Sequence, residues 1–283
     1  MPTLAQKLPY THPFAGGFPY RGSQRLPSDP DALTYLAAVA AADGAPVEVG
    51  VAVAVDDFFR GTKADGTFGA LKAACLLCGA RTLAGALVPL VGTAPTNNNF
   101  VSGDYNRKTG LLGNGVDKWL NSNRASNADP RDSQHIACHV HTAPTTAGSG
   151  TNTFAAFLAS GSSTAETSVG RLSSNSADYF VRHRAAGFAF TQVAGAANTG
   201  FVGSTRSAGA SFVFRTGGAD TTITAASADP SSVTQTFGVY RDETNGVSYN
   251  NGRLAFYSIG EHLTLSLLDA HISALYAAIG AAI

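Results

Sequence analysis

The stretch Thr109-Gly110-Leu111-Leu112-Gly113-Asn114-Gly115-Val116-Asp117-Lys118-Trp119-Leu120-Asn121-Ser122 lies near the start of a long region running from Asn97 to Glu261. The stretch Gly252-Arg253-Leu254-Ala255-Phe256-Tyr257-Ser258-Ile259-Gly260 lies near its end. Gly, Ser, Thr and Asn cut this region into short alternating segments, and helix-forming sequence is scarce. Strands are expected at Phe100–Asp104, Trp119–Asn121, His135–His141, Phe154–Ala159, Thr167–Leu172, Asp178–Arg182, Gly187–Gln192, Gly200–Ser204, Ser211–Arg215, Thr221–Ala225, Gln235–Arg241 and Gly252–Ile259. Alternation is strict in several of them: in Ala210-Ser211-Phe212-Val213-Phe214-Arg215 both Phe side chains leave one face. Clusters of Gly, Ser and Asn around 148–151, 161–164, 195–200 and 244–252 read as turns. Even, short strands bury their apolar residues between two sheets. The fold class is therefore mainly β, an antiparallel jelly-roll sandwich over 97–283.

Outward from this region the pattern changes. Toward the N-terminus, residues 29–92 read as a small helical module. Ser28 or Asp29 can cap a helix, Pro30 suits its first position, and Asp31 complements the dipole. Leu33, Leu36, Ala37 and Ala40 follow at helical spacing, and Gly44 ends the helix. Val47 to Phe59 is ambiguous: the valines alternate like a strand, while Val51, Val55 and Phe58 share a helix face. Phe68, Leu71, Cys75 and Cys78 mark a third helix stopped by Gly79, and Thr82 to Leu90 adds a short turn of helix. Residues 1–28 carry prolines at 2, 9, 13, 19 and 27 with Tyr10, Phe14, Phe18 and Tyr20 between them. That is an extended arm whose rings lodge either on another subunit or on the arm's own domain. At the other end, Thr264 or Ser266 to Ile279 is a C-terminal helix with Leu267, Leu268, His271, Leu275 and Ile279 near one face.

Composition narrows the function classes. The 283 residues are 44% hydrophobic, enough for a sizeable core. Only 13% are charged, roughly half the usual share, which suits a subunit packed against neighbours and a homo-oligomer. The formal net charge of +0 and the lack of a Lys/Arg cluster argue against nucleic acid as a partner. Three cysteines, Cys75, Cys78 and Cys138, make no disulfide framework. The start lacks a signal-peptide apolar core, and no run of about 18 apolar residues is apparent, so synthesis in a host cytoplasm without membrane insertion is expected.

Lys63-Ala64-Asp65-Gly66-Thr67-Phe68-Gly69-Ala70-Leu71-Lys72 resembles the helix–Gly–aromatic–helix element of many tailed-bacteriophage structural proteins. In those it precedes a β domain opening with a G-x-x-G-x-G-x-x-x-x-L strand pair, matched here by Gly110, Gly113, Gly115 and Leu120. Ala255-Phe256-Tyr257-Ser258-Ile259-Gly260 followed by an apolar helix is similar to the last strand of laminin-G-like, concanavalin-A-like sandwiches. The resemblance covers roughly residues 30 to 280 and implies a helix for Val47 to Phe59, against the local strand propensity. It departs at Phe68, where Trp is common, and in the Ala and Val content of the second helix. It implies a laminin-G-like sandwich in a virion component: a tail fibre, a tail tip or a head decoration, bound to other virion proteins through the arm. It implies no shared catalytic set.

Four groups of side chains could carry chemistry. In His135-Ile136-Ala137-Cys138-His139-Val140-His141 the three histidines share one strand face, and two His at i and i+2 can grip a metal ion. No third ligand is identifiable, and an outward polar face opposite a buried Ile-Cys-Val face explains the same pattern. Cys75-Leu76-Leu77-Cys78 has redox spacing but sits inside apolar sequence, where buried filler is expected. The glutamates are Glu48, Glu166, Glu243 and Glu261, and Asp242-Glu243 falls in a turn; none makes an i, i+2 carboxylate pair of the kind glycoside cleavage would use. No Gly-x-Ser-x-Gly elbow is flanked by strand and helix. Asp104, Asn106, Asp117, Asn121 and Asn123 crowd one region, where a concanavalin-like sandwich would hold calcium or sugar, and Trp119 could stack on a sugar ring. Turn-forming Asn and Asp and a core Trp give the plainer account. The expectation is thus a non-enzymatic virion protein without cofactor or assigned metal or catalytic residues. It would be a tail-fibre or tail-tip component with a host-surface glycan as possible ligand; capsid decoration is the first alternative and a glycan-active enzyme the second.

Overall fold

Helix α1 (Pro30–Asp43) begins where the capping residues place it. The Asp29 carboxylate accepts from the backbone N–H of Asp31 at 3.0 Å and Ala32 at 3.2 Å, and Gly44 closes the helix at a φ of 66°. In the computed structural model the described residues are 25–145, 154–161, 164–172, 178–185, 190–194, 198–243 and 246–283. The aromatic positions of the arm, the turns expected at 148–151 and parts of those at 161–164, 195–200 and 244–252 lie outside them. Val47 to Phe59 resolves as helix: α2 (Val49–Ala64) buries Val51, Ala52, Ala54, Val55, Phe58 and Phe59 along one side. Burial of that stripe against other helices overrides the strand propensity of the valines.

The helix expected over Phe68–Cys78 is a strand instead. After a single 3-10 turn at Phe68–Ala70, β1 (Leu71–Leu76) runs extended. A short helix α3 (Leu83–Ala86), capped by the Thr82 hydroxyl, leads into β2 (Pro89–Val91). The physical reason is that β1 is covered on both faces. Leu71, Ala74 and Leu76 enter one core while Ala73, Cys75 and Leu77 enter another. A strand buried on both sides has no polar alternation to betray it.

The remaining strands are β3 (Thr96–Asn98), β4 (Tyr105–Asn106), β5 (Gly110–Leu112), β6 (Trp119–Ala125), β7 (Gln134–Thr142), β8 (Ala155–Ser160), β9 (Glu166–Arg171) and β10 (Tyr179–Ala185). They continue through β11 (Thr191–Val193), β12 (Gly200–Ala208), β13 (Ser211–Thr216), β14 (Ala219–Thr224), β15 (Thr236–Val239) and β16 (Arg253–Gly260). The strand expected at Phe100–Asp104 is replaced by a 3-10 turn at Ser102–Asp104, held by the Asp104 carboxylate accepting from Val101 N–H at 2.8 Å.

These strands form two antiparallel sheets of a β-sandwich. The first runs β14-β13-β12-β7-β16-β1-β2, with β5 also joined to β16 and β4 to β5. The second runs β11-β10-β9-β8-β15-β6-β3. Between them Ile136, Cys138, Val140, Phe212, Phe214 and Tyr257 are buried. On the other side of the first sheet lies a second core, shared with α1, α2 and the C-terminal helix α4 (Leu265–Ala282). The irregular register of β16 around Leu254 to Phe256 sends both Ala255 and Phe256 toward the helices.

By length and composition α4 is apolar enough to cross a membrane, with a mean hydropathy of 1.4 over its 18 residues, which corrects the expectation that no such run exists. Its Leu265, Leu268, Ile272, Leu275 and Ile279 are spent on the helix-side core. At roughly 1.5–3 kcal/mol per buried side chain, those five residues supply on the order of 10 kcal/mol as an upper bound. Arg215 to Asp269 at 2.8 Å and His271 to Asp65 at 2.6 Å pin the same helix to β13 and to the end of α2.

Candidate functional site

The histidines of β7 share the face that the sequence assigns them, but the face is roofed by α4 rather than open to solvent. His135 is fully buried, with Nδ1 2.6 Å from the Glu261 carbonyl and Nε2 3.1 Å from the Ser258 hydroxyl. His139 stacks on Tyr276 at 4.3 Å between ring centroids, and the Tyr276 hydroxyl shares a hydrogen bond with His141 Nδ1 at 2.5 Å. Burial pushes both His135 and His139 down to about 4, because a charged imidazolium would lose its hydration there. Among the described residues no three His, Cys, Asp or Glu side chains gather to hold a metal ion.

Cys75, Cys78 and Cys138 are buried free thiols. Burial raises all three, Cys78 to about 12, which keeps the nucleophilic thiolate out of reach at neutral pH. The Asp and Asn of the loop region are committed to turns. Asp104 pairs with Lys118 at 2.6 Å, and Asn106 accepts from the N–H of Lys108 and Thr109. Asp117 accepts from Asn114 at 2.6 Å, Asn121 from Asn123 N–H at 2.8 Å, and Asn123 donates to the Ala94 carbonyl.

The glutamates separate into two groups. Glu48 binds Arg81 and Arg107 at 2.9 and 2.7 Å, and Glu261 binds Lys72 at 3.2 Å, all beside the helices. Glu166 and Glu243 instead belong to the second sheet's outer side. Glu166 pairs with Arg182 and accepts from the Ser168 hydroxyl at 2.9 Å. Burial raises its pKa, opposed by Arg182 and reinforced by Asp242. Glu243 is raised by burial, with Arg241 opposing and Asp242 again adding. Asp242 thus acts both on its neighbour Glu243 and on Glu166, which is distant in sequence. Glu166 and Asp242 are only 5% and 2% exposed, so they are enclosed rather than opposed across a cleft.

The most exposed part of this group centres on Arg241. In β6 Leu120 points into the core between the sheets, Asn121 leaves the opposite face, and Trp119, at the first position of the strand, is half-buried and packs against the rim of that core. The Arg241 guanidinium lies 4.1 Å from the centre of the Trp119 ring and 5.6 Å from that of Tyr249. It donates to the Tyr249 hydroxyl at 3.3 Å and pairs with Glu243 at 3.2 Å. Gly238 makes room for this: a Cβ there would meet the Arg241 carbonyl at 2.8 Å, so the chain past β15 folds directly over the sheet. Trp119, Arg241, Glu243 and Tyr249 are all half-buried. The arrangement presents a planar donor, a carboxylate, a phenol and an indole edge side by side, a set that hydrogen-bonds polyhydroxylated surfaces. Sequence reasoning named Trp119 and the Asp242-Glu243 turn separately. Only the return of the chain over Gly238 brings them together.

Two further features were not legible in advance. Arg184 and Arg206 are fully buried at one end of the sandwich. Arg206 donates to the carbonyls of His183, Ala208, Ser211 and Ala225, which accounts for its burial as a tie between strands and loops. At the opposite side of the molecule, a cavity of about 350 Å³ lies between α1 and β2, lined by Thr34, Tyr35, Ala38, Phe68 and the stretch 88–91.

No family model matches this chain, and no curated protein matches it. Solved structures are similar to it. The crystal structure of the botulinum neurotoxin serotype D binding domain has a TM-score of 0.46 and 11% identity over 72% of this chain and 51% of that one. A mutant of Trypanosoma rangeli sialidase displaying trans-sialidase activity has a TM-score of 0.46 and 12% identity over 80% and 39%. The enzymatically active domain of bacteriophage CBA120 tailspike protein 2 has a TM-score of 0.39 and 14% identity over 65% and 29%. The chain spans about half the length of the toxin domain that it matches.

Proposed function

We propose that this chain is a structural subunit of a tailed-phage particle, a tail-fibre or tail-tip component, whose second sheet binds host-surface carbohydrate through its outer side. The observation that carries the binding reading is the Arg241 cluster. A guanidinium already stacked on Trp119 and held by Glu243 loses little rotamer freedom when it donates to a sugar hydroxyl, so its hydrogen bonds cost little ordering entropy. The first sheet is sheathed by α1, α2 and α4, whereas among the described residues no long helix packs on the outer face of the second. Enclosure of Glu166 and Asp242 supports binding without turnover. The low charge of the chain and the Pro- and aromatic-rich composition of its first 28 residues support the virion role.

The test is binding of the purified chain to a glycan array and to host lipopolysaccharide, with Arg241→Ala and Trp119→Ala compared after their folding is verified by thermal melting. Each variant is expected to weaken binding about tenfold or more, the loss of a charge-assisted contact of ~1.4 kcal/mol. Binding unchanged in both variants, or turnover of the glycan, refutes the reading. Deleting residues 1–28 is expected to release the protein from its particle. Electron microscopy that places the chain on the capsid shell would replace the tail assignment with a decoration role.

A further inference from the structure

We propose that β14 is a self-association edge, at which two copies of this chain pair antiparallel about a two-fold axis through Thr222 and join their first sheets into one. β14 is the last strand of that sheet, and among the described residues no strand lies beyond it. Every residue of it except Ile223 is exposed. Its pairing with β13 runs without a register shift, and Gly217 and Gly218, at φ 57° and 78°, form the two-residue turn that such a hairpin requires. The other sheet ends are built differently. β2, β3 and β11 have 3 residues each, and β2 also carries Pro89 and an irregular register. Short strands, prolines and bulges are the means by which proteins blunt an edge, and β14 has none of them.

The hydrogen-bond phase of the hairpin fixes which groups face outward. Across a two-residue turn the flanking residues, Thr216 and Ala219, form a hydrogen-bonded pair, and such pairs recur at every second residue. Phe214 with Thr221 and Phe212 with Ile223 follow, and Ala225 N–H donating to the Ala210 carbonyl at 3.0 Å continues the same phase. The N–H and C=O groups of Asp220, Thr222 and Thr224 therefore point away from β13, into solvent. A two-fold axis at Thr222 sets that residue against its own copy and Asp220 against Thr224 of the partner subunit. All three residues then exchange both backbone bonds across the edge.

Charge selects this register and this occupant. The charged side chain on β14 is Asp220, and Arg215 already holds it at 2.8 Å while binding Asp269 at 2.8 Å. An axis at Asp220 would oppose two carboxylates, whereas the axis at Thr222 opposes each carboxylate with a threonine hydroxyl. The other face matches too: Thr221 meets Ile223 of the partner subunit, a methyl beside an apolar side chain. The strand is thus complementary to itself, and an isologous contact through one long edge closes at two copies. Pairing along its 6 residues, about 20 Å at ~3.4 Å per residue, is small beside the ~800 Å² per partner of a standard interface. Such a contact is weak in dilute solution and fills where subunits are crowded. With only 13% charged residues, the chain has little surface charge to oppose it.

The experiment is sedimentation equilibrium of the full chain at concentrations up to about 1 mM. The proposal expects a reversible monomer–dimer equilibrium with a dissociation constant of roughly 10–500 µM. Thr222→Pro removes the outward N–H without touching a hairpin bond, and is expected to weaken the dimer about tenfold or more, while Thr222→Ser changes it less than about threefold. Thermal melting checks that each variant folds. Thr222→Lys keeps the backbone donors and sets two like charges face to face, which gives the same loss by a second route. Thr224→Lys, across from Asp220 of the partner subunit, is expected to tighten the dimer instead. A monomer throughout that range, assembly beyond two copies, or association unchanged by both Thr222→Pro and Thr222→Lys overturns the proposal. A loss with Thr224→Lys equal to that with Thr222→Lys overturns the register. No sugar enters these measurements, and the Arg241 cluster lies on the second sheet, so their failure leaves the carbohydrate reading standing.

Discussion

Gly113→Ala is the substitution that most directly tests how this sandwich closes. Gly113 is buried, and a Cβ built on it would lie 1.9 Å from the Asn250 carbonyl oxygen and 2.8 Å from the Tyr240 ring. Ordinary contact needs about 3.4 Å or more, so one of the two backbones must retreat by roughly 1.5 Å. That displacement breaks two bonds across the same gap: Gly113 N–H to the Gly252 carbonyl at 3.0 Å and Gly115 N–H to the Asn250 carbonyl at 3.3 Å. Each is worth about 0.5–1.5 kcal/mol, and forcing a methyl into a packed site adds about 1–3 kcal/mol. The expected loss is therefore about 2–6 kcal/mol, a large fraction of a typical domain's stability. Urea unfolding of the full chain, with the slope held common, measures it. Gly69→Ala is the control: that glycine is exposed and has no atom within 4 Å of its would-be Cβ, so a change within about 0.5 kcal/mol is expected. Gly113→Ala within 1 kcal/mol of the parent would refute the steric argument.

Asp56→Ala removes the acceptor of Ser28 and Asp29 N–H at the start of α1, and should cost about 2–4 kcal/mol by the same unfolding assay; a loss under 0.5 kcal/mol would show the anchor to be dispensable. His135 and His139 titrate near 4 when folded and near 6.5 when unfolded, so the unfolded chain binds more protons between these values. Stability is then complete above pH 6.5 and falls as pH drops toward 4, by about 2 kcal/mol per histidine at pH 5. His139→Gln should make that acid limb shallower, and an unchanged limb would place the proton uptake elsewhere. Native protein should leave all three thiols unlabelled by a thiol reagent at pH 8 and yield three equivalents in urea; rapid native labelling of any one would contradict its burial.

The parts of the fold legible in the sequence are those governed by neighbours in the chain. Asp29, Pro30 and Gly44 bound α1 because caps act within one turn. β13 alternates because Phe212 and Phe214 meet the core between the sheets and Ser211, Val213 and Arg215 do not. β1 was illegible for the complementary reason. Ala73-Ala74-Cys75-Leu76-Leu77 feeds two cores at once, so its apolar run carries no period that separates strand from helix. The Arg241 cluster was half legible. Trp119 and Asp242-Glu243 are visible as chemistry, but their meeting depends on a chain reversal over Gly238 that no local pattern announces. The His face of β7 was assigned correctly and its surroundings were not, because the roof comes from Tyr276, more than a hundred residues later.

The position of β1 governs the order in which the molecule can be assembled. Its Leu71 to Leu76 ladder is written against Gly260 to Phe256 of β16, the last strand in chain order among the described residues. For the time it takes to translate some 180 intervening residues, Ala73, Cys75 and Leu77 have no lasting shelter. Pairings this distant in the chain form slowly and leave greasy ribbon open to wrong partners. Fragments truncated before Arg253 are therefore expected to aggregate, the consequence of drawing an early strand into the middle of a late sheet.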